Sequence, residues 1–539
     1  MKNSNIIDRL HQRNLMLAVF FLLSTGVIPV AQTILDSHPF FVRDRMQPVQ
    51  CLELVELPHT FKDSINQPGA SLFKRIGNAG DDLLKWIHDI EQGLEKTSFL
   101  RPVMVKLLAP LYHRLGLGGE NALIGRNGWL YYQPDVACLT DPVSELTDSI
   151  ETVVDFNRQL AARGISLLVM PTPIKPSIEP EFLWKGYAGR NEPLLPPAYA
   201  AWLHALSHRD IRVFDSHSVM MKRKSGTHES QYLKTDTHWT PRAMEAIASA
   251  LADEIRPDFD EGAAVLERHG RTVSSPGDIA LMLNPGNSSV GYPLETVEVN
   301  EMQIPGQGVW RESKSADVLL LGDSFSNIYS LEGMGWGRSG GLAEQLSYYL
   351  QRPIDRIVQN DAGAIAGRRI LSQELARGKD RLAGKKLVIW QFAVRELSFG
   401  DWQPIELKLN DSPADTPFIA PDSGEIWMVS GVVESISAIP LPGSVPYSDH
   451  IASVHLSDIR SGNPSLNSKQ AMVYIQSMKD NQWTAAARLR TGDRVCIQLS
   501  AWVDVEDQMG GINRSEPEDD AMLMAEPCWG ELIHEQPPD

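Results

Sequence analysis

Residues 318–326 read Val-Leu-Leu-Leu-Gly-Asp-Ser-Phe-Ser, an apolar run that ends in a Gly-Asp-Ser turn. Four consecutive aliphatic residues predict a strand buried on both faces. The turn places Ser324 just beyond the carboxyl end of that strand, where open α/β sheets carry their chemistry. Backbone N–H groups of such a turn can stabilise an oxyanion, so Ser324 is a candidate nucleophile. The alternatives are Ser326, two residues later, and a purely structural cap formed by Asp323 or Ser324.

A second motif, Lys-Thr-Asp-Thr-His-Trp-Thr over residues 234–240, supplies the groups that activate a serine. Asp236 and His238 are two residues apart, so their side chains share a side of an extended or turn segment. An imidazole oriented by a carboxylate is the general base of serine-dependent acyl transfer. The competing interpretation is that Asp236 or Thr240 caps the next helix while His238 hydrogen-bonds locally. No further His or Cys stands nearby, so no metal site is predicted.

Apolar runs and helical patterns alternate through the middle of the chain. Asn127-Gly128 predicts a hairpin turn, and Thr240 followed by Pro241 predicts a helix start. Strands separated by helices of this length imply right-handed crossovers. The sequence therefore predicts an α/β fold with a mainly parallel sheet covered by helices on both faces. The predicted strands are residues 165–170, 211–215, 318–321, 354–358 and 387–391, and the predicted helices are residues 150–160, 241–255, 342–350 and 368–376.

The composition and the periodicity of the sequence change after residue 402. A stretch rich in Pro, Asp and Ser is typical of a linker, and short strand-like runs follow it, which predicts a C-terminal all-β domain, a sandwich or a barrel. The predicted organisation is a cytoplasmic N-terminus (1–14), a signal anchor or signal peptide (15–35), a helical region (36–120), an α/β domain (121–402), a linker (403–424) and the β-rich domain (425–539).

The N-terminus predicts export. Leu15 to Ala31 form an apolar run preceded by Lys2, Arg9 and Arg13, so the positive-inside rule places the rest of the chain outside the cytoplasm. A run of about 17 residues is short for a membrane span and slightly long for the apolar core of a signal peptide, so an uncleaved anchor and a cleaved signal peptide both stay open, with a buried core helix as the third alternative. We therefore expect a periplasmic protein, anchored in the inner membrane by this N-terminal helix.

Charge and cysteine content restrict the partners further. A formal net charge of −18 argues against a nucleic-acid partner, which needs a basic surface. The four cysteines fit an oxidising compartment. The economical pairing is Cys51 with Cys138 and Cys496 with Cys528, and the alternative is four free thiols.

Residues 120–400 resemble the alginate O-acetyltransferases of the AlgX/AlgJ type, whose SGNH-hydrolase-like domain is circularly rearranged. In most SGNH enzymes the Asp and His follow the serine, whereas in this family and in this chain they precede it. The motifs that carry the resemblance, in order, are Gly125-Arg-Asn-Gly-Trp-Leu-Tyr-Tyr132, Val169-Met-Pro-Thr-Pro-Ile-Lys175, Tyr232-Leu-Lys-Thr-Asp-Thr-His-Trp-Thr-Pro241, Ser275-Pro-Gly-Asp-Ile279, Gly322-Asp-Ser-Phe-Ser326 and Val388-Ile-Trp-Gln-Phe-Ala-Val-Arg395.

The resemblance implies an exported polysaccharide O-acetyltransferase. Ser324 would be the nucleophile, His238 the base and Asp236 its orienting acid. Arg395 would lie near the site, with a structural ion pair as its alternative role. Lys234 and Lys175 are predicted to face the substrate, with solvated surface positions as the alternative.

The resemblance also implies the partners of the reaction. The acetyl donor would arrive through a membrane-bound O-acyltransferase, and no metal or diffusible cofactor is expected. Family members carry a carbohydrate-binding β-domain, in which sugars could stack on the C-terminal tryptophans, with core packing as the alternative. These tryptophans are Trp427, Trp483, Trp502 and Trp529.

Two rival functions share these residues. An esterase would use the same triad and let water capture the acyl-enzyme, which sequence does not separate from transfer to a sugar. A non-catalytic glycan-binding or assembly protein would need no triad, and the complete Asp236, His238 and Ser324 set argues against it. The acceptor glycan stays open between alginate-like and neutral polymers.

Overall fold

The computed structural model describes the α/β domain and the β-rich domain. The predicted anchor (15–35), the helical region (36–120) and Cys51 lie outside the described residues. Within the part of the chain that is described, no helix is both long and apolar enough to cross a membrane. The described residues are 121–140, 146–187, 194–283, 292–360, 363–410, 418–442, 447–462, 469–517 and 525–533, with 445, 466 and 522.

The α/β domain contains ten strands and eleven helices in the described residues. In chain order, the strands are β1 (Ala122–Ile124), β2 (Leu130–Tyr132), β3 (Ser166–Thr172), β4 (Arg212–Val213), β5 (Glu267–Ser275), β6 (Glu295–Ile304), β7 (Gly308–Val309), β8 (Val318–Gly322), β9 (Asp355–Val358) and β10 (Leu387–Ala393). The helices are α1 (Gln133–Cys138), α2 (Thr147–Ala161), α3 (Lys175–Ile178), α4 (Pro197–Ser207), α5 (Ser216–Thr227), α6 (Pro241–Ile255), α7 (Asp278–Leu283), α8 (Ser324–Asn327), α9 (Leu342–Leu350), α10 (Gly363–Ala376) and α11 (Glu396–Phe399).

The core of this domain is a five-stranded sheet in the spatial order β4, β3, β10, β8, β9. All four strand pairs are parallel, which confirms the predicted mainly parallel sheet. Strands β8 and β10 are buried along their whole length, as expected from their continuous apolar runs. The chain runs outward in one direction from β3 to β4 and in the other from β8 to β9. The carboxyl ends of β3, β10 and β8 therefore meet at a reversal of strand order, where such sheets form a crevice.

The motif at residues 234–240 leads into helix α6. The Thr240 hydroxyl accepts a hydrogen bond from the backbone N–H of Ala243 (3.2 Å), and Pro241 occupies the first turn, so the predicted helix start is confirmed. The helix thereby begins three residues after His238 and fixes the end of the loop that carries it. Its predicted inner stripe is buried: Met244, Ile247, Leu251 and Ile255.

Strands β5, β6 and β7 form a separate antiparallel sheet that was not predicted. Most residues of β5 are exposed or half-buried and many are polar, so the apolar alternation that marks a strand is weak there. This sheet matters for the site because β5 leads into the start of α7 and β6 begins at Glu295.

Residues 403–410, which are part of the predicted linker, pack on the α/β domain. Leu407 and Leu409 contact its apolar core. The backbone N–H of Leu407 donates to Gln159 Oε1 (2.7 Å), and that of Asn410 donates to the carbonyl of Leu375 (3.0 Å). Beyond residue 417 the chain already belongs to the β-rich domain, because Ile419 N–H donates to the carbonyl of Gln470 (2.8 Å).

The β-rich domain is a barrel, and its longest helix in the described residues is α12 (Trp502–Met509). Strands β13, β17, β15, β11 and β12 are paired in that order, and β12 pairs again with β13, which closes the ring. Closure removes the open sheet edges. The elements are β11 (Ile426–Ile436), β12 (His450–Arg460), β13 (Ala471–Lys479), β14 (Gln482–Trp483), β15 (Arg494–Ala501), α12 (Trp502–Met509), β16 (Asn513–Ser515) and β17 (Pro527–Leu532).

The predicted Cys496–Cys528 disulfide is wrong. Cys528 on β17 stands opposite Ala501 of β15, five residues along the strand from Cys496. At the rise of a strand the two Cα atoms are about 16 Å apart, whereas a disulfide needs less than about 7 Å. Both residues are free thiols. The other predicted pairing involves Cys51, outside the described residues, and stays a prediction.

The four C-terminal tryptophans all take part in packing or hydrogen bonding within the barrel domain. Trp502 and Trp529 are buried in one apolar cluster. Trp427 is half-buried against the barrel core, and Trp483 Nε1 donates to the carbonyl of Pro440 (2.9 Å). The structure therefore favours core packing over sugar stacking for these residues.

The barrel rests against the β9 side of the α/β domain, close to the end of α8. Asn327 Nδ2 donates to the carbonyl of Gly511 (3.3 Å), and Ser448 Oγ donates to the carbonyl of Gly333 (3.0 Å). Two ion pairs also cross the junction, Lys314–Glu506 and Lys379–Glu526, both at 2.6 Å.

Candidate active site

Asp236, His238 and Ser324 form one hydrogen-bonded chain at the carboxyl edge of the sheet. His238 Nδ1 is 2.7 Å from Asp236 Oδ1, and His238 Nε2 is 2.8 Å from Ser324 Oγ. Because a carboxylate only accepts hydrogen bonds, it fixes the ring proton on Nδ1 and leaves Nε2 to accept from the serine hydroxyl. All three side chains are buried, and Ser324 is the most exposed of them at 8%. The arrangement can move a proton from the serine to the imidazole.

The turn that carries Ser324 is held by Asp323 and Gln391. Asp323 Oδ1 accepts from the N–H of Phe325 and Oδ2 from the N–H of Ala393, both at 2.9 Å. Gln391 Oε1 accepts from the N–H of Asp323 (3.0 Å) and from the hydroxyl of Ser326 (2.7 Å). Asp323 is therefore a structural cap, as one interpretation held, while the Ser324 hydroxyl points to His238. Ser326 is turned toward the sheet.

The loop that carries Asp236 and His238 is held by hydrogen bonds with Trp336 and Asp278. Asp236 Oδ2 accepts from the indole N–H of Trp336 (2.8 Å) and from the backbone N–H of Asp278 (2.9 Å). In return, Asp278 Oδ1 accepts from the backbone N–H of Thr237 (2.7 Å). The other carboxyl oxygen of Asp278 lies 3.7 Å from His238 Nδ1. Two carboxyl groups thus face the same imidazole.

The charges of the site act on one another because burial leaves little solvent between them. Burial by itself lowers the pKa of His238, but the hydrogen bond and charge of Asp236, with the charge of Asp278, raise it above its ordinary value. Burial opposes the ionised form of Asp236, yet its hydrogen bond to His238 and its other donors lower its pKa to about 2. Burial and the neighbouring charge of Asp236 raise the pKa of Asp278 to about 7.

Lys175 does not face the substrate, contrary to the sequence prediction. Its side chain is fully buried, and Nζ donates to the carbonyls of Leu130 (2.6 Å), Asp236 (2.9 Å) and Lys234 (3.0 Å). Burial lowers its pKa to about 8. All three N–H bonds of an ammonium are used, so Lys175 ties the loop of Asp236 to the first hairpin.

Lys234 and Arg395 occupy different positions relative to the triad. The end of the Lys234 side chain lies beside Gly128 of the hairpin, and its role in substrate binding stays a prediction. Arg395 Nη1 pairs with Oδ1 of the buried Asp135 (3.0 Å). The guanidinium also lies 5.9 Å from the centre of the Phe325 ring, which is itself 4.8 Å from the His238 ring. Arg395 is therefore both an ion-pair partner and a close neighbour of the imidazole.

Asp236, His238 and Asp278 bring three possible metal-ligand atoms within 4.8 Å of one another. The two oxygens of Asp236 already accept four N–H groups: two from His238, one from Asp278 and one from Trp336. A cation would have to displace these donors, so the residues fit an acid–base site better than a metal centre.

Sequence reasoning missed Asp278, Trp336 and Gln391 as members of this site. Asp278 and Gln391 lie in motifs that carry the family resemblance, and that was the available signal. Trp336 lies 100 residues from the Asp236 carboxylate that it binds, with no local pattern to mark it.

Comparison with known proteins supports the same class of domain. Residues 122–394 match the family model described as "SGNH hydrolase-like domain, acetyltransferase AlgX". The chain is similar to the probable alginate O-acetylase AlgJ of Pseudomonas aeruginosa, with 25% identity over 341 residues that cover 58% of this chain and 80% of that protein. The similarity to AlgJ of Pseudomonas fluorescens is 24% over 280 residues, covering 49% and 66%.

Solved structures give weaker similarities. The O-acetyltransferase domain of Pseudomonas putida AlgJ matches with a TM-score of 0.41 and 18% identity, covering 52% of this chain and 94% of that one. Pseudomonas aeruginosa AlgX matches with a TM-score of 0.38 and 17% identity, covering 70% and 90%.

The parallel sheet, the strand-to-helix serine turn and the matched residues define an SGNH-hydrolase-like α/β domain. Because the family model spans half of the chain, the protein belongs to the AlgX/AlgJ family.

Proposed function

We propose that the protein is a polysaccharide O-acetyltransferase that works through an acetyl ester on Ser324. The observation that carries the proposal is the continuous hydrogen-bonded chain from Asp236 through His238 to Ser324. Its geometry is that of an activated serine nucleophile, and membership of the AlgX/AlgJ family supports acetyl as the transferred group.

The proposed reaction has two balanced halves. In the first, Ser324 Oγ attacks the carbonyl carbon of the acetyl donor, His238 Nε2 takes the hydroxyl proton, and the donor's leaving group departs with that proton. In the second, a sugar hydroxyl attacks the acetyl-serine, His238 takes its proton, and Ser324 Oγ regains a proton as it leaves. The N–H of Ser324 supplies one donor to the oxyanion. Asp236 holds the ring and stabilises the imidazolium in both halves.

The proposed substrates and location are supported by the family and by the N-terminal sequence. The AlgJ relatives are named "Probable alginate O-acetylase", so the proposed acceptor is an exported polysaccharide, with alginate as the first to test. The apolar segment at residues 15–31 anchors the chain at the periplasmic face of the inner membrane. A membrane-bound O-acyltransferase then delivers the acetyl group, because acetyl-CoA is cytoplasmic.

The test supplies an activated acetyl ester, p-nitrophenyl acetate, with and without oligosaccharide acceptors. We expect p-nitrophenol release, a mass increase of one acetyl group on the peptide that contains Ser324, and acetylated oligosaccharide. Ser324→Ala is the control and should show none of these. Acceptors should include oligomannuronate and a neutral glucan oligomer.

Each outcome separates one rival. Release of acetate to water with no acetylated sugar, on any acceptor, would make the protein an esterase. Absence of acetyl on Ser324 in a folded chain would overturn serine catalysis and favour a glycan-binding protein.

A further inference from the structure

Asp278 lies next to three consecutive residues of the loop that carries the acid and the base, residues 236–238. Its backbone N–H donates to Asp236 Oδ2 (2.9 Å), and its Oδ1 accepts from the N–H of Thr237 (2.7 Å). Its Oδ2 lies 3.7 Å from His238 Nδ1. The side chain is buried at 6% exposure, which puts its charge in a medium of low polarity.

The backbone around Asp278 is shaped for this approach. Gly277 has φ +83°, and a Cβ there would lie 2.5 Å from the carbonyl oxygen of Thr235. Only glycine fits such a position at ordinary cost. The N–H of Ala280 then donates to the same carbonyl (3.2 Å). The segment 277–280 is therefore pressed against the loop that carries Asp236 and His238.

We propose that Asp278 is a positioning residue for the acetyl-transfer base. It holds the Asp236–His238 loop in the geometry that reaches Ser324, and it presents a second carboxylate to the imidazolium that forms in each half-reaction. This inference rests on the proposed function and deepens it. The proton taken from the serine creates a positive ring, and a second buried negative charge at 3.7 Å stabilises that ring.

Other charges act on the same pair and must be counted. Asp278 faces Asp236 and His238 on the loop against which it packs, and Lys175 on α3 carries a charge that acts on it. Arg395 opposes protonation of the ring. Asp278 and His238 therefore titrate as a pair, with Asp278 raised to a pKa of about 7.

Glu295 offers a matched control. Its carboxylate also clamps the loop, accepting from the N–H of Lys234 (2.8 Å) and from the N–H of Thr235 (3.3 Å). The main charges that shift the pKa of His238 are those of Asp236, Asp278 and Arg395, and Glu295 is not among them. Asp278→Asn and Glu295→Gln each remove one charge from a carboxyl that holds the same loop, and only the first removes a charge that faces the imidazole.

The experiment measures the rate at which an arylsulfonyl fluoride labels Ser324, as a function of pH, in the full chain. We expect Asp278→Asn to slow labelling by about tenfold or more. In this variant the acidic limb of the curve of labelling rate against pH should move to lower pH by about half a unit or more. The reason is that the His238 ring loses a charge that favours its protonated form. Glu295→Gln should keep the acidic limb of the native chain. With p-nitrophenyl acetate, Asp278→Asn should lower kcat and leave KM unchanged.

The outcomes are distinguishable from failure of the proposed function. If the native chain is not labelled at Ser324, the proposed function itself falls. If it is labelled and Asp278→Asn keeps the native pH limb, as Glu295→Gln does, Asp278 is a structural clamp only and the inference is overturned. Should the asparagine variant not fold, Asp278→Ser, which keeps an oxygen for the Thr237 N–H, is measured in its place. Failure of both to fold would also overturn the inference, because the role would then be in folding.

Discussion

Lys175 Nζ donates a hydrogen bond to the backbone carbonyl of Asp236 at 2.9 Å, so a buried cation holds the residue that orients the candidate base. The same ammonium reaches Leu130 in the hairpin. An ammonium in that place satisfies three buried carbonyls at once, and no apolar side chain can do so.

Replacement of Lys175 should therefore destabilise the α/β domain. We expect Lys175→Met to cost about 3 kcal/mol in the free energy of unfolding, because three buried carbonyls lose their donor. Urea unfolding followed by tryptophan fluorescence measures the change. Lys234→Met is the control, since its half-buried side chain should change stability by less than about 0.5 kcal/mol. Equal stability of the two variants would contradict a stabilising role for the hydrogen bonds of Lys175.

Replacement of the two serines of the turn, Ser324 and Ser326, should have very different effects on turnover. Ser324→Ala should abolish acetylation of the chain, and His238→Ala and Asp236→Ala should each lower turnover by orders of magnitude without additive effects. Ser326→Ala removes only a hydrogen bond to Gln391 and should keep most of the activity, with a loss of about 1 kcal/mol in stability. Turnover of p-nitrophenyl acetate compares them. A dead Ser326→Ala beside an active Ser324→Ala would show that the nucleophile is misassigned.

A double-variant test separates the two roles of Arg395. Arg395→Ala leaves the carboxylate of Asp135 buried and unpaired, so both stability and activity should fall. Asp135→Asn in the same chain removes that unpaired charge, and stability should largely return. If Arg395 binds substrate, transfer to an oligosaccharide should stay low in the double variant while the melting temperature recovers. Recovery of both would make Arg395 a structural ion-pair partner alone.

The barrel cysteines should behave as separate thiols. Cys528 is buried, and burial raises the pKa of its thiol, so it should resist alkylation in the native state. Cys496 is half-buried and should react faster with iodoacetamide. In denaturant without reductant both should be alkylated, as read by peptide mass spectrometry. If both cysteines resisted alkylation in denaturant until a reductant was added, a disulfide between Cys496 and Cys528 would be supported instead.

Removal of the barrel should separate chemistry from acceptor binding. The cut belongs after Asn410, because residues 403–410 pack on the α/β domain. The Ser324 turn is held by Asp323 and Gln391 from within that domain, so the shortened chain should still hydrolyse p-nitrophenyl acetate. Transfer to long glycans should weaken, because we expect the barrel to hold the polymer near Ser324 and so to concentrate acceptor hydroxyls there.

Circular dichroism must first show that the shortened chain is folded. A matched variant, Lys314→Ala with Lys379→Ala, removes two exposed ion pairs of the junction and should have little effect. Equal loss on the small ester and the glycan would show that the barrel completes the active site.

The sequence by itself determined the parallel sheet and the two motifs that supply Ser324 and His238. Those features are local: an apolar run buried on both faces, a Gly-Asp-Ser turn and a Thr-Pro helix start act over a few residues. Tertiary structure decided that Lys175 is buried, that Asp278 is the second carboxyl on the imidazole and that Cys496 and Cys528 are far apart. Each depends on partners tens of residues away. Whether a charge is buried, and which strand residues stand opposite each other, follows from packing and register, which local propensity does not contain.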